Sequence, residues 1–224
     1  MIKTVEYLSR MSWFKRLIQV GTSAVYGAQQ RMCHELSPIN PANSYAVSKI
    51  AVDMHMAILH AKYNLPIITI RPSSIYGPAQ KLSRLIPKAT YCALSGYRFC
   101  MEGLGQVHKS YVHACDLSRA IYLALHKGHL GNIYNVGSDN FVNVHQMLDL
   151  ICDKLNIRLA NLAEVVAPRD GDDDQRGLDS SKIKSELGYK EAISLEQGID
   201  DMINWGRKCL DLLHDEPRTF TLRA

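Results

Sequence analysis

Arg16-Leu-Ile-Gln-Val20 is a short apolar run that passes directly into Gly21-Thr-Ser-Ala-Val-Tyr-Gly27. The first half is a strand; the second is a turn bounded by glycine. A Pro- and Asn-rich loop (Ser37 to Asn43) then leads into a long helical pattern from about Ser44 to Tyr63. Asn43 or Ser44 can cap that helix, because either side chain accepts from a free first-turn amide. Pro66-Ile-Ile-Thr-Ile70 follows as a second buried strand, with Arg71-Pro72 at its end. Strand, helix and strand in this order predict an α/β fold with a mostly parallel sheet.

The same rhythm extends in both directions. Val5 to Met11 reads as the end of an amphipathic helix. Leu82 to Leu94 is helical with Pro87 interrupting it, and Arg98 to Met101 and Val107 to His113 are strands. Asp116 to His126 is a helix with Asp116 as its N-cap, followed by a strand from Asn132 to Val136 and a helix from Val144 to Leu155. Pro168 to Arg176 is a polar, exposed loop. Ser180 to Leu187 is a short helix stopped by Gly188, a residue that tolerates positive φ. Leu195 to Leu213 closes the chain as a long helix. The expected organisation is an α/β part over 1–78, a smaller mixed part interleaved with returning elements of the first over 79–213, and a tail over 214–224.

Composition sets outer bounds. Hydrophobic residues make up 46% and charged residues 21% of 224, as in ordinary globular proteins. No apolar run approaches the ~18 residues of a membrane span, and the start lacks a signal-peptide layout. The six cysteines have no C-x-x-C pair, which points to free thiols in a reducing cytoplasm. A net charge of +4 with no dense basic tract argues against nucleic acid and is compatible with an anionic small molecule. His34-Glu35, Asp53-x-His55 and the Asp172 to Asp174 run lack further ligands at metal spacing, so no metal site is expected.

Tyr45 and Lys49 stand four apart near the start of the long helix, which stacks them on one face. A neighbouring ammonium favours phenolate, so the tyrosine can serve as a general base closer to neutrality. Alone, such a pair is usually a surface pair. Here Thr22 and Ser23 follow the strand ending at Val20, and parallel sheets place ligands at the C-terminal ends of their strands. Arg71-Pro-Ser-Ser-Ile-Tyr-Gly-Pro78 follows a second strand at the same edge.

Taken in order, Thr22-Ser-Ala-Val-Tyr-Gly27, Tyr45-Ala-Val-Ser-Lys49, Arg71 to Pro78, Leu85-Ile-Pro87, Gly103-Leu-Gly105, Tyr111-Val-His-Ala-Cys-Asp116, Tyr134-Asn-Val-Gly137 and Asp179 to Gly188 resemble the extended short-chain dehydrogenase/reductase family. Within it they are similar to the sugar-nucleotide epimerases and dehydratases. The resemblance implies a partial Rossmann-like doubly wound sheet, NAD or NADP as cofactor, a nucleotide-diphosphate sugar as substrate and a homodimer. It implies that Tyr45 takes a proton from a sugar hydroxyl, commonly at C4. Lys49 then assists Tyr45 and bonds the nicotinamide ribose, and Thr22 bonds the sugar oxygen. Ser23, Ser74, Lys109, Arg169 and Arg176 fall at substrate-binding positions.

The chain departs from the pattern at several points. Dehydratases place Asp-Glu after the catalytic Thr to eliminate water, where this chain has Ser23-Ala24. Alanine moves no proton and serine is a poor acid, which favours 4-epimerase over 4,6-dehydratase chemistry. Ser74 replaces the usual Asn. Lys109 replaces the usual Arg, keeping the charge and losing the two-pronged grip on phosphate. Arg169 matches the first of two loop arginines, whereas Gln175 holds the second place with Arg176 one residue later. No Gly-x-x-Gly-x-x-Gly turn occurs. The expectation is that roughly 80–100 residues of a doubly wound cofactor half are missing in front. An apolar sheet edge would then be exposed, and the alternative function is a non-catalytic sugar-nucleotide-binding or scaffolding protein.

Overall fold

A computed structural model describes residues 2–28, 32–139, 141–167 and 177–218. Helix α1 (Ile2–Leu8) precedes strand β1 (Leu17–Val20), and a single 3-10 turn (Ser23–Tyr26) leads to helix α2 (Ser44–Tyr63). Strands β2 (Ile67–Pro72) and β3 (Ser74–Tyr76) follow, separated only by Ser73. The next elements are α3 (Leu85–Ser95), β4 (Phe99–Glu102), β5 (His108–His113), α4 (Ala114–Lys127) and β6 (Ile133–Val136). The chain then forms β7 (Phe141–Asn143), α5 (Val144–Leu155), α6 (Leu159–Leu162), β8 (Ala163–Val166), α7 (Ser181–Leu187) and α8 (Leu195–Leu213).

The fold is α/β. A parallel sheet runs β1-β2-β6, with Val20 opposite Ile70 and Ile70 opposite Tyr134. A mixed sheet runs β3-β5-β7, and β4 pairs in parallel with β8. Strand β2 is buried along its whole length, as a central parallel strand covered on both faces should be. Among the described residues β1 is an edge strand, with Leu17, Ile18 and Val20 half-buried. Ile68, Ile70, Val112, Ala120, Ala124, Tyr134, Val136 and Ile183 form the core between the first sheet and α4 and α7. A second core, including Ile86, Ala89, Met147, Ile151, Ile199 and Met202, joins α3, α5 and α8. All six cysteines are free thiols.

Two local expectations are corrected. Pro87 does not interrupt α3; it lies in the first turn, where its missing N–H has no intrahelical partner to lose. Asp116 is not the N-cap of α4. Strand β5 enters α4 without a loop, and His113 caps the helix, its Nδ1 accepting from Cys115 N at 3.3 Å. Asp116 is buried in the first turn and accepts from Ala192 N and Ile193 N at 3.0 and 3.1 Å. It ties α4 to the segment leading into α8. Asp116→Ala would remove the acceptor of two part-buried amides, and we expect a loss of about 1–2 kcal/mol in urea unfolding. Strands β3, β7 and β8 and helix α6 were not expected, because runs of three or four residues carry too little periodicity to read.

Candidate active site

The site is assembled at the C-terminal end of β1. The short turn after β1 packs against α2. Thr22 is extended and caps that turn, its Oγ1 accepting from Ala24 N at 3.2 Å. The hydroxyl proton stays available to a ligand oxygen. Ser23 is half-buried in the turn itself. Gly27 holds the turn shut at φ 65°, and a Cβ there would lie 2.0 Å from the Asn40 carbonyl oxygen. Gly27→Ala should therefore cost about 1–3 kcal/mol through backbone strain, lowering the melting temperature by several degrees.

Helix α2 starts at Asn43, whose Oδ1 accepts from Ala46 N at 2.9 Å. Tyr45 lies in its first turn with 55% of its surface exposed. Lys49 is half-buried one turn later, and its Nζ donates to Val20 O at 2.8 Å. The ammonium is thus held beside the strand end that carries Thr22. Ser74 opens β3 opposite Tyr111, and Lys109 stands on β5 two residues before that partner. These two belong to the mixed sheet, joined to the first sheet through Ser73. Arg169 and Arg176 lie outside the described residues.

Beneath the site runs a buried polar network that the sequence reading missed. Arg71 Nε donates to Asp53 Oδ2 at 2.9 Å, with side chains 4% and 2% exposed. Arg71 also donates to the Tyr26 hydroxyl at 3.0 Å, and Tyr26 donates to Asn135 Oδ1 at 2.9 Å. Burial pushes the Tyr26 phenol up despite Arg71, so it remains a protonated donor. Burial likewise pushes the Asp53 carboxyl up, against the pull of Arg71. A readable signal existed: an arginine ending the apolar run Pro66 to Ile70 needs a buried carboxylate. Asp53, one turn beyond Lys49, was available to supply it. Glu35, another discarded metal candidate, accepts from Asn135 N at 2.8 Å.

Comparison with known proteins agrees with this architecture. The model of the GDP-mannose 4,6-dehydratase family matches residues 2–202. The chain belongs to that family. That family is of the short-chain dehydrogenase/reductase type to which sugar-nucleotide epimerases and dehydratases belong. The dTDP-glucose 4,6-dehydratase of Xanthomonas campestris is 32% identical over 201 residues, covering 85% of this chain and 57% of that protein. The trifunctional UDP-glucose 4,6-dehydratase/UDP-4-keto-6-deoxy-D-glucose 3,5-epimerase/UDP-4-keto-L-rhamnose-reductase RHM1 of Arabidopsis thaliana is 32% identical over 195 residues, 85% of this chain and 29% of that protein. The dTDP-glucose 4,6-dehydratase DesIV of Streptomyces venezuelae, solved with NAD and TYD bound, superposes with a TM-score of 0.85 at 30% identity. That match covers 89% of this chain and 62% of DesIV. UDP-glucuronic acid 4-epimerase of Bacillus cereus shares the fold, with a TM-score of 0.87 at 20% identity, over 92% of this chain and 66% of that one. The chain therefore spans less than two thirds of each of these proteins. None of its described helices is long and apolar enough to cross a membrane.

Proposed function

We propose that the site acts on a nucleotide-diphosphate sugar in NAD-dependent chemistry, oxidising a sugar hydroxyl, at C4, to a transient ketone, with 4-epimerisation favoured over 4,6-dehydration. The observation that carries this reading is that Lys49, one turn after Tyr45 on α2, donates to Val20 O beside Thr22, with Ser23-Ala24 where an eliminating enzyme needs an acid and a base. Tyr45, exposed at the start of α2, takes the proton from the sugar hydroxyl. Lys49, one turn further along the same helix, holds its ammonium at the strand end through Val20 O. Thr22 donates its free proton to the same sugar oxygen. Ser74 and Lys109 face the diphosphate.

The residues fit the nicotinamide end of NAD. Lys49 presents its ammonium to a ribose, and when bound the cofactor would accept and return the hydride. The 224 residues hold no Gly-x-x-Gly-x-x-Gly turn. The alternative reading is a sugar-nucleotide-binding protein without turnover. A homodimer through α2 belongs to the first reading, supported by exposed Val47, Met54 and Ile58 on one face of that helix.

Incubation with NAD and UDP- or dTDP-glucose, followed by proton NMR of the sugar, tests the proposal. A C4 epimer is expected; a 4-keto-6-deoxy product would assign dehydration instead. Titration calorimetry showing sugar-nucleotide binding with neither product would favour the second reading.

A further inference from the structure

We propose that Asp53 and Arg71 form a positioning pair that seats α2 on the end of β1 and so places Lys49. Two side chains of α2, one turn apart, hold two consecutive residues of that strand end. Lys49 holds Val20 by its 2.8 Å bond to the carbonyl. Asp53 packs on Gly21 so closely that an added Cβ would lie 3.0 and 3.1 Å from its two carboxylate oxygens. Gln19, buried on the same strand, adds a polar contact to that carboxylate.

The other half of the device comes from β2. Gly21 N donates to Ile70 O at 2.7 Å, and the next residue is Arg71, which grips Asp53 at 2.9 Å. Arg71 is itself fixed by Tyr26 at 3.0 Å, so the pair is anchored to the turn that follows Thr22. Stability alone is a poor reason for such a pair. Two buried charges lose about as much in desolvation as they gain by attraction, and an apolar pair of equal volume often does as well. An apolar pair carries no directional bond, however, and lets the helix slide. A guanidinium clamped between Asp53 and Tyr26 fixes both the rotation and the height of α2.

The test separates stability from position. Asp53→Leu/Arg71→Met replaces the pair by side chains of similar volume. Thermal melting reports the fold, and competitive reductive methylation, read by mass spectrometry against exposed Lys62, reports Lys49. We expect a folded double variant in which Lys49 is methylated about tenfold faster relative to Lys62, the equivalent of one lost hydrogen bond. A folded double variant with an unchanged Lys49 rate would overturn the proposal and leave the pair as ordinary stabilisation. If the double variant does not fold, Gly21→Ala gives the second measurement, because it pushes on the carboxylate without removing a charge. Faster Lys49 labelling is expected there too, and an unchanged rate in that folded variant overturns the proposal. The meaning of the pair rests on the catalytic reading of Lys49. Labelling needs no turnover, so failure of the activity assay and failure of this proposal remain distinguishable.

Discussion

Tyr45→Phe should abolish turnover in every form of this protein that processes a sugar nucleotide, with a fall of at least about 10³-fold in kcat. The substitution removes one hydroxyl and nothing else. Tyr45 is 55% exposed in the first turn of α2, and among the described residues its hydroxyl has no hydrogen bond on which the fold depends. The helix start is held instead by Asn43 and by Ser48 Oγ, which donates to Tyr45 O at 2.7 Å. Melting temperature should therefore stay within a degree or two. Sugar-nucleotide affinity should stay within about twofold, since a group needed only to move the proton contributes to kcat rather than to ground-state binding. Product formation by NMR and affinity by calorimetry check the two halves. Surviving turnover would remove Tyr45 as the base, and a large loss of affinity would make it a binding residue.

The second large effect is structural. Arg71→Met should destabilise the chain by about 3–5 kcal/mol, because it leaves Asp53 as a buried charge without its partner. It also takes the donor from Tyr26. The loss should depend on pH, with a sign set by burial. Burial raises the Asp53 carboxyl above its ordinary value of 3.8 while Arg71 pulls it down. Without Arg71, only the weaker pull of Lys49 and Gln19 still opposes burial. A carboxyl with a raised folded pKa binds protons more readily in the folded chain than in the unfolded one. The variant therefore gains stability relative to wild type as pH falls through the folded pKa towards the unfolded value, and loses it as pH rises through the folded pKa. Urea midpoints at pH 5 and pH 8 should show the smaller deficit at pH 5. Restoration of the midpoint by Asp53→Leu in the Arg71→Met background would assign the deficit to the unpaired charge. An equal deficit at both pH values would show that lost packing dominates.

Much of this was legible in residue order. The alternation of apolar strands with long helical patterns yields the α/β class, and the bounds of α2, α5 and α8 follow from periodicity and caps. Asn43 is the N-cap of α2, one of the two residues expected, because a local side chain satisfies a local amide. The i,i+4 spacing of Tyr45 and Lys49 and the strand end before Thr22 were readable because they are short-range features, while the roles given to the three residues rest on the resemblance. Asp116 shows where short range fails. Its sequence context is that of a helix cap, yet the donors it serves come from Ala192 and Ile193, far along the chain.

The sequence by itself determined the fold class, the helix that carries Tyr45 and Lys49, and the strand end to which they belong, since each rests on neighbours within a few residues. Only the tertiary structure decided that Lys49 is held by Val20 and that Asp53 and Arg71 meet beneath the site against Gly21. Those contacts join β1, α2 and β2. No local pattern specifies which buried charge will meet which, because the desolvation that demands a partner arises only when the three elements have packed.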